Sequence, residues 1–414
     1  MLNKLKNNRR NLQEVLITSL GQFLYLFQGL IQNKIFASYF ETSVFGQWAL
    51  LSSAYVFISM LPFTALEQGI YKEAIPARKN GQDRQLYSLI AGVYSICFSI
   101  YTVVLVFLNI LQGESFFADG YLFLFLFYAF TEIFKNTYLV LDNAYRYRKR
   151  VLLIRLLDLL SRIIPYLLLF QIGLFSIKAV LIVLCLSNLL VLVFQRNYIK
   201  EIRLPIDKIA TKEIFQNIVK FSAPLMVWAI FGWLQNMIGR WYLDMFLDLE
   251  AVAAYTILTS LSYFVPNMVY TVCNAYIMPL VFSRTEKLTR KELGKYLAIL
   301  SGFFAAYFIA IVLLGRWLII LLADPKYLSI LDYLPITTLS AILYVLAMSS
   351  TIEIYRRGET RKLLVSSIVP GAAMATIGFV LIKEFQFQGV VINYVMGHII
   401  YTVLTMMVVL RNID

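Results

Sequence analysis

The stretch VLLIRLLDLLSRIIPYLLLF, residues 151–170, is an apolar run of membrane-spanning length that contains three charged side chains. Arg155, Asp158 and Arg162 fall at i, i+3 and i+7, so they share one face of a helix. A charged side chain at the centre of a bilayer costs roughly 2.5–3.5 kcal/mol on insertion scales. The sequence therefore predicts that this face is turned toward protein or a polar pathway, and not toward lipid.

The same apolar character runs through the chain. Of its 414 residues 60% are hydrophobic and 15% are charged, whereas soluble domains hold about 25% charged residues. Apolar runs about 20 residues long match the thickness of the hydrocarbon layer, which predicts an all-α polytopic membrane protein. We expect about twelve transmembrane helices, near residues 14–32, 43–66, 87–111, 120–141, 152–172, 178–195, 218–239, 251–281, 295–321, 330–352, 363–382 and 389–410.

The distribution of basic residues predicts the topology. The net charge is +13, and most of the 37 Lys and Arg lie in the N-terminal segment and in every second connection after it. Cytoplasmic loops are enriched in Lys and Arg, so both termini of this multi-pass protein are expected in the cytoplasm. The positive charge then serves topology, and we expect no nucleic-acid partner.

The longest connection, residues 196–217, is polar and basic and contains Pro205. It is interpreted as a cytoplasmic linker between two six-helix lobes, residues 1–195 and 218–414, arranged around a central cavity. An even number of spans gives both lobes the same orientation, as in parallel repeats.

The fourth predicted span contains charged residues that can pair with Asp158 and Arg162 of the fifth. Glu132 and Lys135 lie at i, i+3, and a hairpin turn centred near residue 146 or 147 places Lys135 level with Asp158 and Glu132 level with Arg162. One interpretation is an ion-pair clasp between two helices. We favour a cationic patch on a water-filled cavity, because Arg155 leaves one positive charge in excess and charged residues in spans usually face a polar interior.

Two uncharged polar stripes accompany the charges. Amides and phenols repeated on one helix face suit hydrogen bonding and stacking with a polar, ring-shaped ligand such as a sugar, and equally suit helix–helix hydrogen bonds. The stripes consist of Tyr25, Gln28 and Gln32 in the first span and Tyr263, Asn267, Tyr270 and Asn274 in the eighth.

Other residue types argue against an enzyme. His398 is the single histidine, and we expect it to be a hydrogen-bonded structural residue; Cys97, Cys185 and Cys273 lie in apolar spans without ligand spacing. The sequence contains no dinucleotide fingerprint, Walker A motif, GxSxG elbow or HExxH motif. We expect no metal, no cofactor and no catalytic residue.

Two stretches resemble a known family. NKIFASYFETSVFGQWALLSSAYVFISMLPFTALEQGIYKEAI (33–75), with Phe45-Gly46 and Glu67-Gln68-Gly69, resembles the N-terminal region of bacterial polysaccharide transporters, the Wzx-type O-antigen and capsule flippases of the multidrug/oligosaccharidyl-lipid/polysaccharide exporter superfamily. In NMIGRWYLDMFLDLEAVAAYTIL (236–258), Arg240 and Tyr255 match the family pattern, while Gly239 and Ala254 replace its usual Asp and Gly.

This resemblance implies a flippase of the bacterial cytoplasmic (inner) membrane. It would move an undecaprenyl-diphosphate-linked oligosaccharide to the outer leaflet by alternating access, for O-antigen, capsule or similar polysaccharide. Arginine suits phosphate through its planar fork of donors. The expected diphosphate site is Arg162, Arg155 and Lys135, with Glu132 and Asp158 as charge partners or as groups for coupling to a proton or sodium gradient. The two polar stripes would line the sugar path. Expected partners are the lipid-linked substrate, membrane lipids and other polysaccharide-assembly membrane proteins.

Three other functions stay open at this stage. A multidrug and toxin cation antiporter of the same superfamily is the nearest, although cationic drugs would be repelled by an excess of arginine and lysine. A polysaccharide polymerase or ligase commonly needs a long outer loop, which the sequence lacks. A structural membrane scaffold is the third.

Overall fold

In the computed structural model, the backbone is described for residues 2–112, 121–200, 208–282, 289–357 and 359–412. Side chains are described for the same ranges except residues 2–15, 108–112, 208–210, 274–282 and 360. All regular structure in these ranges is helical. The all-α prediction is therefore confirmed.

The described residues form fourteen α-helices. In chain order they are α1 (Leu2–Tyr39), α2 (Thr42–Ile58), α3 (Ala65–Lys79), α4 (Asp83–Gln112), α5 (Tyr121–Ala144), α6 (Arg148–Gln171), α7 (Ile177–Phe194), α8 (Arg196–Lys200), α9 (Lys208–Phe246), α10 (Leu249–Phe282), α11 (Arg290–Leu322), α12 (Leu334–Ser350), α13 (Ile352–Arg356) and α14 (Leu364–Asn412). A π-helical segment, Ser59–Thr64, joins α2 to α3, and 3₁₀-helices precede α12 and α14.

Almost all described residues of every predicted span are helical, although the spans 43–66 and 330–352 each cross more than one helical segment. Nine helical segments within the described ranges are long and apolar enough to cross a membrane. Helix α1 and helix α6, the latter with three charged residues in its apolar run, lie at two further predicted spans. The last two predicted spans are the two parts of α14, which is interrupted by the non-helical backbone of Gln386 (φ 50°, ψ −126°). The chain is a multi-pass membrane protein.

One compact unit comprises residues 54–229. In it α5 packs against α3, α6 and α7. The first part of α9 also belongs to this unit, because Gly69 of α3 lies directly against Ile218 and Ser222 of α9. A Cβ atom at residue 69 would lie 2.6 Å from the Ser222 hydroxyl, so glycine permits this close approach of the two helices.

The other compact unit comprises residues 1–53 and 230–414. Its core is α12, packed against α10, α11 and α14, and α1 packs on α10 and α11. The ammonium group of Lys34 on α1 donates hydrogen bonds to the carbonyls of Ile320 (3.0 Å) and Ala323 (2.7 Å) at the C-terminal end of α11.

The bounds of these two units differ from those of the predicted lobes, residues 1–195 and 218–414. The difference has a physical cause: α1 packs on α10 and α11, whereas the start of α9 packs on α3. The division into two six-helix lobes stays a prediction. Of the predicted linker, residues 196–200 form α8 and α9 begins at residue 208, while residues 201–207 lie outside the described residues.

Candidate functional site

Helices α5 and α6 bring four opposite charges together within the unit of residues 54–229. The ammonium nitrogen of Lys135 lies 2.8 Å from the Glu132 carboxylate and 3.1 Å from that of Asp158. The Arg162 guanidinium lies 2.6 Å from Glu132 and 3.0 Å from Asp158. Each cation thus contacts both carboxylates, and the pairing across the hairpin is the one that the sequence predicts. We call these four residues the charge quartet.

Helix α7 completes the hydrogen bonding of the charge quartet. The amide oxygen of Asn188 accepts a hydrogen bond from Arg162 (2.9 Å), and the amide nitrogen donates to Thr131 (3.1 Å). The Ser187 hydroxyl donates to Asp158 at 3.3 Å. Charged groups in a low-dielectric interior are stable only when such partners satisfy them.

The charge quartet is neutral as a whole and closed to its surroundings. Lys135 is fully buried, and the other three members expose 8% or less of their surface. Arg155, one helical turn before Asp158, is half-buried and acts on the Asp158 carboxylate electrostatically. This arrangement is that of a clasp joining α5 and α6, and binding of a diphosphate by Arg162, Arg155 and Lys135 stays a prediction.

The first polar stripe divides between exposed and buried positions. On α1, Tyr25 exposes 50% of its surface, whereas Gln28 exposes 5% and Gln32 is half-buried. A single ligand-facing surface would give the three residues similar exposure. A sugar path along this stripe stays a prediction.

The second polar stripe lies on α10. Tyr263, Asn267 and Tyr270 are all half-buried, and the Tyr263 ring lies 6.2 Å from the ring of Tyr344 on α12. Tyr263 and Tyr270 pack against the apolar cluster between α11 and α12. The side chain of Asn274, the fourth member, lies outside the described residues.

Helices α12 and α14 enclose His398 within a ring of tyrosines. Its Nδ1 atom lies 3.0 Å from the Ser340 hydroxyl, and its ring is centred 4.5 Å from Tyr344 and 4.1 Å from Tyr394. His398 exposes only 1% of its surface. The predicted hydrogen bond of His398 is present, and its structural role stays a prediction.

Sequence reasoning missed one polar contact, between Glu67 on α3 and Thr137 on α5. The Thr137 hydroxyl donates to the Glu67 carboxylate at 3.1 Å. The two residues are separated by 70 positions, so no local pattern relates them. The available signal was the position of Glu67 beside Gly69, where the backbone of α3 approaches another helix.

Solved structures share this arrangement of helices over nearly the whole chain. A mutant of the Vibrio cholerae MATE transporter VcmN has a TM-score of 0.69 at 16% identity, covering 99% of this chain and 98% of its own. The MATE multidrug transporter DinF-BH has a TM-score of 0.68 at 14% identity, covering 97% of this chain and 94% of its own. The chain has the fold of the MATE transporters.

The MATE fold does not fix the substrate. A MOP-superfamily transporter from Pyrococcus furiosus, described as having a binding pocket of reverse polarity that suggests a different function, matches with a TM-score of 0.66 at 16% identity, covering 97% of this chain and 94% of that one. No protein-family model and no curated protein matches the sequence. Membership of the polysaccharide flippase family stays a prediction. The substrate preference depends on the charged side chains of this chain.

Proposed function

We propose that the chain is a secondary transporter that exports amphipathic organic cations by alternating access, without chemical change of the substrate. Two observations support the proposal. The fold is shared with transporters described as multidrug MATE proteins. The charge expected to repel cationic substrates is neutralised within the protein.

The neutrality of the charge quartet favours a cationic substrate over an anionic one. The sequence-based expectation of an anionic substrate depended on an excess of positive charge around Arg162 and Lys135. Both cations instead lie within 3.1 Å of carboxylates and are buried. A phosphate would have to displace those carboxylates, leaving two buried negative charges unpaired, and removing one partner of a buried ion pair costs about 3–5 kcal/mol. The quartet therefore suits a structural role better than binding of an anion.

A flippase for lipid-linked oligosaccharide is the second candidate, and Arg240 is the observation that favours it. This residue of α9 is half-buried, and its buried Nε atom has no hydrogen-bond partner among the described residues. In the described part of the chain no carboxylate forms an ion pair with it. An unneutralised guanidinium in a membrane span is suited to a phosphate group.

Reconstituted liposomes distinguish the two candidates. Purified protein would be tested for uptake of ethidium driven by an imposed proton or sodium gradient, and separately for translocation of a fluorescent diphosphate-linked oligosaccharide lipid. We expect gradient-driven ethidium uptake and no lipid translocation.

Lipid translocation without ethidium uptake would instead establish the flippase. In that case Arg240→Gln should abolish translocation, and the matched control Arg316→Gln, an exposed arginine of α11, should not. If neither substrate moves while the protein is folded in the liposomes, both substrate assignments are wrong.

A further inference from the structure

Three polar side chains from three helices meet inside the unit of residues 54–229. Glu67 belongs to α3, Thr137 to α5 and Tyr94 to α4, and Tyr94 is close enough to Glu67 for an electrostatic interaction. Tyr94 exposes 1% of its surface, and its hydroxyl lies beside the Thr137 side chain. These three polar groups therefore share one junction between α3, α4 and α5.

The rings around Tyr94 make the junction apolar apart from these three groups. The Tyr94 ring is centred 4.9 Å from Phe63 and 5.7 Å from Phe134. From α9, Ile218 and Ser222 approach the neighbouring Gly69, and neither is charged. Cys97 of α4 is the other titratable group, and it acts on Tyr94. Within the described ranges, the side chains shown around Glu67 are therefore uncharged.

Glu67 differs in this respect from the buried carboxylates Glu132, Asp142 and Asp158 of the same unit. Glu132 and Asp158 contact Lys135 and Arg162, and Asp142 lies 3.5 Å from Arg150. Among the described residues, Glu67 forms no ion pair, and the Thr137 hydroxyl is its hydrogen-bond partner. A carboxylate held this way has no fixed positive charge to keep it ionised.

The hydroxyl of Thr137 can serve Glu67 in both protonation states. It lies 3.1 Å from the carboxylate and 2.9 Å from the Ile133 carbonyl. A hydroxyl has one proton to donate and two lone pairs to accept with. When Glu67 is ionised, Thr137 donates to it; when Glu67 is protonated, the acid donates to Thr137, and Thr137 turns its own proton to Ile133. A rotation of one hydroxyl thus accommodates uptake of a proton.

Glu67 lies at the edge of the exposed side of α3. Glu67 is half-buried, while Gln68, Tyr71 and Lys72 beside it are exposed. Polar side chains on an exposed face of a membrane helix indicate contact with water rather than with hydrocarbon. Protons can reach the carboxyl from that face while the Thr137 side stays buried.

We propose that Glu67, with Thr137 and Tyr94, is a proton-exchange site of this transporter. The proton adds to the Glu67 carboxylate from water on the exposed face and returns there on release, so no other reactant is needed. The site goes beyond the proposed transport activity and would couple it to a proton gradient. Glu132 and Asp158, the groups expected for this role from the sequence, are less suited because their cationic partners favour the ionised form.

Infrared difference spectroscopy of the full-length protein in lipid tests the site without any transported substrate. On acidification, wild type should gain the carbonyl-stretch band of a protonated, buried carboxylic acid. Glu67→Gln should lose that band. The matched control Glu73→Gln, a half-buried glutamate of the same helix, should retain it.

Thr137→Val separates a proton site from a merely structural contact. Removing the hydroxyl should shift the Glu67 band to higher frequency, because the protonated acid loses its hydrogen-bond acceptor, while the fold and the other bands are unchanged. A Glu67→Gln spectrum identical to that of wild type would overturn the proposal. So would a band that Thr137→Val leaves in place.

Transport measurements then separate this proposal from the proposed function. In Glu67→Gln, ethidium uptake driven by a pH gradient should be lost, while exchange of ethidium between the two sides without a gradient should persist. Equal loss of both in a folded variant would contradict the coupling role. A wild type that moves no ethidium but shows the Glu67 band would reject the substrate assignment and retain the proton site.

Discussion

The guanidinium of Arg162 on α6 lies 2.6 Å from the carboxylate of Glu132 on α5, across the hairpin that joins the two helices. One turn away, Lys135 of α5 pairs with Asp158 of α6, so here the positive charge is on α5 and the negative charge on α6. The crossed arrangement fixes the register of α5 and α6, because sliding either helix by one turn would unpair both sets of charges.

The charge quartet should tolerate loss of a pair better than loss of one member. We expect Lys135→Met to lower the free energy of unfolding by about 3–5 kcal/mol, because it leaves two buried carboxylates with one cation. The double variant Lys135→Met/Asp158→Leu should recover most of this loss, since the Arg162–Glu132 pair remains. Unfolding in mixed micelles measures both values.

Arg155→Met is the matched control for the charge quartet, because this residue lies on α6 but is only half-buried. Its effect on stability should be smaller than that of Lys135→Met. Additive losses in the double variant would show that Lys135 and Asp158 are not coupled, and would remove the clasp interpretation.

Close contact at Gly46 should make this position sensitive to a methyl group. A Cβ atom on Gly46 of α2 would meet the backbone carbonyl of Leu249, at the start of α10, which cannot rotate away. We expect Gly46→Ala to lower the free energy of unfolding by about 1–3 kcal/mol. Gly92→Ala on α4, where nothing lies within 4 Å of the added atom, should be neutral or stabilising. Equal stability of the two variants would contradict this packing.

Two lysines bind backbone carbonyls at the C-terminal ends of helices. Lys34 of α1 donates to carbonyls at the end of α11, and Lys326 donates to the Phe40 carbonyl just after α1 at 2.6 Å. Cations at helix C-termini bind unpaired carbonyls and complement the helix dipole. Lys34→Met should lower the free energy of unfolding by about 2 kcal/mol and speed hydrogen exchange in the last turn of α11.

The exposed Lys295, near the start of α11, provides the control for that measurement. Lys295→Met should leave exchange at the C-terminal end of α11 unchanged. Unaltered exchange in Lys34→Met would mean that the lysine contacts do not stabilise the helix end.

His398 should matter for stability and not for proton coupling. Its ring fills the space between Tyr344 and Tyr394, so His398→Ala leaves a cavity and should lower the free energy of unfolding by about 2–4 kcal/mol. The pH profile of transport should be unchanged, because Ser340 and tyrosines, and no carboxylate among the described residues, surround the ring. Transport assayed across a pH series with this variant would reveal any shift, and a shift would assign proton handling to His398 instead of to structure.

The sequence alone determined the membrane-spanning helices and the pairing of the charge quartet. Apolar runs set by bilayer thickness coincide with the helices, including the break near Gln386 between the last two spans. Lys135 and Asp158 could be matched because a short hairpin fixes which residues of two antiparallel helices are level.

Only the tertiary structure decided the environment of each polar side chain. Tyr25 and Gln28 follow one periodic pattern but differ in exposure, at 50% and 5%, because neighbouring helices cover one and not the other. The contact of Glu67 with Thr137 joins helices that are distant in the chain. Periodicity reports which residues share a helix face, whereas packing between distant segments decides whether that face meets lipid, water or protein.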